Sequence, residues 1–173
     1  VSKWAPAWTV EALALCERYG WTKIVAEQPP YSIIDRTPEH EMLWTCKRHG
    51  IGVVPWAPLA GGVLSGKYSK DRPVPEGARF KEIGGRLTPE AIEVASRLAT
   101  IAQEKGCSVA ALATAWVMHQ PAITSPIIGP RTMEHLESAL ETLDVQITDE
   151  DRKRIDEINP PGNAVADYYD CNV

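Results

Sequence analysis

Residues 51–68 read IGVVPWAPLAGGVLSGKY. The first six, 51–56, are apolar on both alternating faces, as in a strand covered on each side. Such a strand belongs to a parallel sheet wrapped by helices. A glycine-rich loop comes next and closes on Lys67. Read from Gly61, it is G-x-x-x-x-G-K-Y, one residue away from the phosphate-binding loop that ends in Lys-Ser or Lys-Thr. Tyr68 stands at the hydroxyl position, where its phenol is too far from the backbone to hold Mg²⁺. The prolines of SKDRPVPEG, 69–77, oppose a helix starting at the loop. The nucleoside-triphosphatase reading is therefore disfavoured.

Outward from that strand, TKIVAEQ (22–28) and ITSPIIG (123–129) are predicted strands. APAWTVEALALCERYG (5–20) is a predicted helix with Val10, Leu13 and Ala14 at helical spacing and Gly20 as its stop. TPEHEMLWTCKRHG (37–50) is a second, with Thr37 as N-cap, Pro38 at N1, Glu39 at N2 and closure on Gly50. Thr88 caps a helix running towards Gly106, and Ser108 caps another that ends before Pro121. PRTMEHLESALETL (130–143) and TDEDRKRIDEI (148–158), capped by Thr148, complete the helices before a terminal coil. Alternating strands and helices imply parallel pairing, in either a doubly wound sheet or a (β/α)₈ barrel. A full barrel has eight such units in about 250 residues. Three strands in 173 residues read as part of one.

Composition narrows the function classes. Hydrophobic residues make up 44% and charged residues 24%, with a net charge of -5 and no basic run. Those values fit an ordinary globular chain and disfavour a nucleic-acid partner. No apolar run is long enough to span a bilayer and no signal-peptide pattern opens the chain, so a cytoplasmic setting without a membrane partner is expected. Cys16, Cys46, Cys107 and Cys171 form no Cys-x-x-Cys pair, and thiols within helical patterns read as small buried groups.

Ligands of parallel α/β folds bind at the C-terminal ends of the strands. Those ends read AEQPPYS, PWAPLAGG and IIGPRT. They offer Gln28, Trp56, Lys67, Arg131 and bare backbone at the glycines. An amide, an aromatic face, two cations and exposed N–H groups suit a dinucleotide. They do not suit a metal, and the four histidines (His40, His49, His119, His135) lack His-x-x-x-His or Glu-His ligand spacing. No Gly-x-Ser-x-Gly elbow is present, which disfavours a serine hydrolase.

VSKWAPAW (1–8), QPPYSIIDR (28–36), WAPLAGGVLSGKY (56–68) and IIGPRTMEHL (127–136) together resemble the C-terminal half of an aldo-keto reductase. The nearest branch holds potassium-channel β subunits and bacterial oxidoreductases. The resemblance implies a (β/α)₈ barrel seen from the end of strand five through strand eight and the C-terminal helices, with the N-terminal half absent and residues 1–173 forming one partial domain. It also implies reduction of an aldehyde or ketone with NADPH. Ser2 matches the serine closing strand five, and Lys3 stands where many relatives have an Asn that bonds the nicotinamide carboxamide. Gln28 matches the glutamine bonding the same amide, and Trp56 the aromatic stacked on the nicotinamide. Ala57, Pro58, Leu59, Ala60, Gly61 and Lys67 match the loop over the pyrophosphate, with Arg79 as a further clamp. Gly129 and Arg131 follow strand eight, where Arg131 matches the residue for the adenosine 2′-phosphate. His135 stands where relatives often have Gln, while Ser138 and Ala139 replace a Glu-Asn pair that holds the adenine in some relatives.

The family's catalytic Asp, Tyr, Lys and His lie on the first four strands, so none is assigned here. Tyr31 and Tyr68 do not match the catalytic tyrosine. The expectation is a reductase of which this chain supplies the cofactor-binding half, acting on a small-molecule carbonyl. The alternatives are a non-catalytic nucleotide-binding module and a half-barrel scaffold that self-associates through open barrel edges.

Overall fold

Proline spacing determines how the sheet looks. In the computed structural model, which describes residues 1–168, β1 (Ala26–Glu27) and β2 (Gly52–Val53) pair in parallel. Val53 also bridges Ile123 in parallel. The strands predicted over 22–28, 51–56 and 123–129 are thus reduced to short runs. Pro29, Pro30, Pro55 and Pro126 have no N–H to donate and interrupt each ladder.

Single hydrogen bonds carry the alignment past those gaps. Trp56 N–H donates to Pro29 O at 3.0 Å, Tyr31 N–H to Trp56 O at 3.2 Å, and Ile127 N–H to Pro55 O at 2.7 Å. On the other flank the Val1 nitrogen donates to Ala26 O at 2.9 Å, and Gln28 N–H donates to Val1 O at 3.0 Å. Those two bonds straddle Glu27 in the slanted pattern of a parallel pair. The segments starting at residues 1, 26, 52 and 123 therefore lie side by side in that order, their C-terminal ends on one rim.

Helix ends follow local chemistry. α1 (Pro6–Tyr19) stops at Gly20, whose φ is 69°, and α2 (Met42–His49) at Gly50, whose φ is 67°. Both are left-handed positions that suit glycine. α3 (Pro89–Glu104), α4 (Val109–Met118) and α5 (Met133–Leu140) open on the side chains of Thr88, Ser108 and Thr132, each accepting from the N–H three residues on. α6 (Asp149–Ile158) opens on a reciprocal capping box between Thr148 and Asp151. Residues 111–117 of α4 are all buried, as befits a helix apolar on every side. With α3, α6 and the glycine loop it forms the main core, and a smaller core of Leu13, Met42, Cys46, Ile51 and Val53 lies where α1 and α2 meet the sheet.

Two helix expectations are corrected. In α1 the inward positions are Thr9 and Leu13, while Val10 is 43% exposed and Ala14 faces solvent. In 37–50, Thr37–Glu39 is a separate 3₁₀ turn, and the α-helix begins only at Met42. Thr37 does not cap it. Its N–H is taken by Asp35 Oδ1 at 3.1 Å, and Glu39 is drawn towards Arg36 and Tyr31. Of the cysteines, Cys46 is fully buried and burial pushes its thiol up to about 11. Cys16 is half-buried with Sγ 3.4 Å from Thr22 O, and Cys171 lies outside the described residues. Among the described residues no helix is long and apolar enough to cross a membrane, and no cluster of His, Cys, Asp or Glu could hold a metal.

Candidate functional site

The parallel segments deliver their polar residues to the shared rim. Ser2 Oγ donates to the Gln28 carbonyl at 2.7 Å, which joins the ends of the first two segments and leaves the Gln28 amide exposed. Lys3, half-buried, comes next with φ at 58°. Trp56 is half-buried, held by its backbone bonds to Pro29 and Tyr31, and packs one side on the main core. An aromatic face thus stands one strand away from the exposed amide.

After Trp56 the chain winds into a tight turn. Ala57 and Ala60 take φ of 58° and 47°, and Gly61 and Gly62 take 65° and 100°. Left-handed backbone is unfavourable for alanine by about 1–2 kcal/mol, so such residues persist only where their surroundings hold them. Ala60 N–H donates to Ala57 O at 2.8 Å, and Gly62 N–H to Leu59 O at 2.8 Å. Pro58 and Ala60 are buried beneath the turn, while Leu59 and Gly61 are half-buried. Lys67 folds back over it: a Cβ on Gly62 would lie 3.2 Å from Lys67 Nζ. The ammonium also sits 5.2 Å from the centre of the Tyr68 ring. Bare glycine backbone with a cation beside it is chemically suited to an anionic group.

The remaining sequence-predicted residues are more open. Arg79 is exposed, and its charge opposes, without reversing, the upward push that burial gives the Tyr168 phenol. Gly129 is exposed, and a Cβ there would meet nothing within 4 Å, so its own position does not demand glycine. Arg131 is exposed immediately before the Thr132 cap of α5, and His135 lies in the first turn with its N–H on Thr132 Oγ1 at 3.2 Å. The rim is an open arc. Two clefts lie to one side, one of about 280 Å³ between residues 66–72 and α3, the other of about 240 Å³ between Lys70, α3 and Val165. Neither is lined by Gln28, Trp56, Lys67 or Arg131.

Buried polar groups surround the rim. Glu27 is 0% exposed, and neither carboxylate oxygen completes a hydrogen bond of standard geometry. Burial raises its pKa, against the opposing pull of the Lys3 N–H. The Tyr31 hydroxyl donates to Glu39 at 2.6 Å, and burial together with that carboxylate holds its pKa well above the usual phenol range. Tyr68 is buried with its hydroxyl accepting from Phe80 N–H at 3.4 Å. Sequence reasoning missed Phe80 and Tyr168, which pack against Gly61. Phe80 is the sole phenylalanine, a weak signal in a loop without periodicity, and Tyr168 lies in a tail that carries none.

The sequence profile described as the Aldo/keto reductase family matches residues 1–160. Among curated relatives, Uncharacterized oxidoreductase YrpG of Bacillus subtilis is 34% identical over 161 residues, covering 92% of this chain and 48% of that protein. Putative aryl-alcohol dehydrogenase AAD16 of Saccharomyces cerevisiae is 32% identical, over 84% of this chain and 42% of its own. A probable voltage-gated potassium channel subunit beta of Arabidopsis thaliana is 34% identical, over 83% of this chain and 46% of its own. The chain spans about half the length of these relatives.

Proposed function

The chain belongs to the aldo/keto reductase family, whose fold is the (β/α)₈ barrel, and on that premise we propose that it is the C-terminal, NADPH-binding part of an oxidoreductase reducing an aldehyde or ketone to an alcohol. The observation that carries this reading is the turn at 57–62, where Ala57, Ala60, Gly61 and Gly62 are left-handed, the two glycines bare of side chains, and Lys67 Nζ lies over Gly62. That arrangement fits a pyrophosphate. Bound here, the reduced nicotinamide would supply a hydride. The residues of this chain bind and orient: Lys3 and Gln28 meet the carboxamide with Ser2 closing the strand beside them, Trp56 covers one ring face, and Lys67 with Arg79 neutralises the pyrophosphate. Arg131, with Gly129 and His135 beside it, meets the adenosine 2′-phosphate.

Titrating the chain into NADPH and following nicotinamide fluorescence tests the reading, and absence of any change would refute it. A charge-assisted bond is worth about 1.5–3 kcal/mol, which sets the Arg131 contribution at roughly ten- to a hundred-fold. Arg131→Ala should therefore erase most of the preference for NADPH over NADH. A ratio that does not move would remove Arg131 from the site.

A second reading, a nucleotide-binding module without turnover, is supported by the similarity to a probable voltage-gated potassium channel subunit beta. Tyr31, Tyr68 and Tyr168 are all buried with their hydroxyls engaged inside the protein. Tyr31 and Tyr168 donate their protons to Glu39 and to the Ala60 carbonyl. NADPH binding without carbonyl reduction would select this reading.

A further inference from the structure

The segment from Ala164 to Tyr168 is stitched to the loop after β1. Ala164 and Asp35 form an antiparallel bridge, Val165 N–H donates to Ile34 O at 3.0 Å, and Tyr168 N–H donates to Asp35 Oδ2. From that anchor the Tyr168 side chain, 4% exposed, reaches the glycine turn and donates its hydroxyl to Ala60 O at 2.7 Å. The Arg86 guanidinium covers the ring, 4.5 Å from its centre. On the next residue, a Cβ at Gly61 would lie 3.0 Å from the Phe80 ring and 3.4 Å from the Tyr168 hydroxyl. Ala60 is a non-glycine residue of this turn with φ at 47°, and its carbonyl is the atom the tail holds.

We infer that Tyr168 is a positioning residue for the nucleotide-facing turn, its hydroxyl holding the Ala60 carbonyl inward so that Ala60, Gly61 and Gly62 keep their left-handed form. The inference rests on the reading of that turn as the pyrophosphate contact. Rotation of the Ala60–Gly61 peptide would move Gly62 relative to Lys67, whose Nζ lies 3.2 Å from where a Gly62 Cβ would stand. The phenol is suited to a permanent tether: burial pushes its pKa up to about 12, so it keeps the proton that makes the bond.

Tyr168→Phe removes only the hydroxyl and preserves the ring beneath Arg86. Hydrogen exchange across peptides spanning residues 57–66 should speed up by roughly tenfold, the effect of orphaning one buried carbonyl. Peptides from α3 and α4 should exchange at the parent rates. NADPH should dissociate faster by a similar factor, with the unfolding midpoint moving much less than it would for loss of the core. Should the phenylalanine variant lose the α3 and α4 protection, Tyr168→Met is read in the same way. Unchanged exchange at 57–66 in a folded variant overturns the inference, as does a loosened turn with unchanged NADPH release. Failure of the unaltered chain to bind NADPH is a different result: it sinks the pyrophosphate reading, while the exchange measurement still decides whether the tail holds the turn.

Discussion

Arg36→Met should cost the fold about 3–5 kcal/mol, the range for stranding one partner of a buried ion pair. Arg36 is 4% exposed. Its Nε and Nη2 donate to Glu39 at 2.7 and 3.0 Å, and its Nη1 donates to Asp156 at 2.7 Å and to Asn159 O at 2.6 Å. The guanidinium also lies 5.0 Å from the centre of the Trp116 ring, whose apolar cover methionine retains. Burial alone would lower the guanidinium pKa, but its bonds to Glu39 reverse that, so the guanidinium stays charged. Removing the cation leaves Glu39, whose side chain is 16% exposed, with the Tyr31 hydroxyl still donating to it but no cation beside it. That stranded carboxylate sets the size of the loss. The Asn159 carbonyl adds an orphaned buried acceptor worth about 1–3 kcal/mol, overlapping with the first effect rather than adding to it in full. Asp156, with a side chain 43% exposed, returns to water and contributes only about 0–1 kcal/mol.

Urea unfolding followed by circular dichroism measures the loss. The midpoint should fall with an unchanged slope, because the buried surface is the same. Glu39→Gln in the Arg36→Met background removes the stranded charge while still accepting from Tyr31, and should recover about half of the loss. A single variant losing less than about 1 kcal/mol, the surface-pair range, would refute the reasoning. So would a double variant no more stable than the single one.

Two further perturbations have opposite pH signatures. Glu27 has a raised pKa, with burial as its largest cause, so as pH climbs past the ordinary 4.5 the unfolded chain ionises first and stability drains away. Glu27→Gln should therefore be more stable than the parent at neutral pH, with the gap closing in acid; a gap independent of pH would contradict this in thermal melts run across the range. Asp151 behaves the other way: burial would raise its pKa, but the bonds from Lys105 at 2.7 Å and from Thr148 overcome it, and the net shift is down. Its contribution is present above the ordinary 3.8 and lost as pH falls through the folded value. Asp151→Asn should cost about 1 kcal/mol at neutral pH, the usual worth of a helix cap, and the difference should vanish in acid when the same melts are compared.

The helix termini were legible without coordinates. Thr88, Ser108 and Thr148 cap where the sequence places them, and Gly20 and Gly50 close their helices in the left-handed region. Each of these depends on groups within a few residues of one another, so a short window holds all the physics. Parallel order was legible too, since an apolar run such as 51–56 makes sense only between covered faces. The shortening of the strands was written in Pro29, Pro30, Pro55 and Pro126, and a stricter reading of their missing N–H groups would have found it.

Tertiary contacts decided the rest. The break before α2 arises because Arg36, which helps draw Glu39 away, is itself fixed by Asp156 and Asn159, more than a hundred positions along the chain. The inward face of α1 carries Thr9 rather than Val10, a choice made by where the sheet and α2 lie and not by the spacing of apolar residues. At the rim, Gln28, Trp56, Lys67 and Arg131 were singled out from the sequence by residue type and order. No local rule assigns left-handed backbone to Ala57 and Ala60, nor links Tyr168 to Ala60 O. Local interactions favour conformations a residue prefers by itself; an unfavourable one survives only when distant parts of the chain close around it, and only the folded structure contains them.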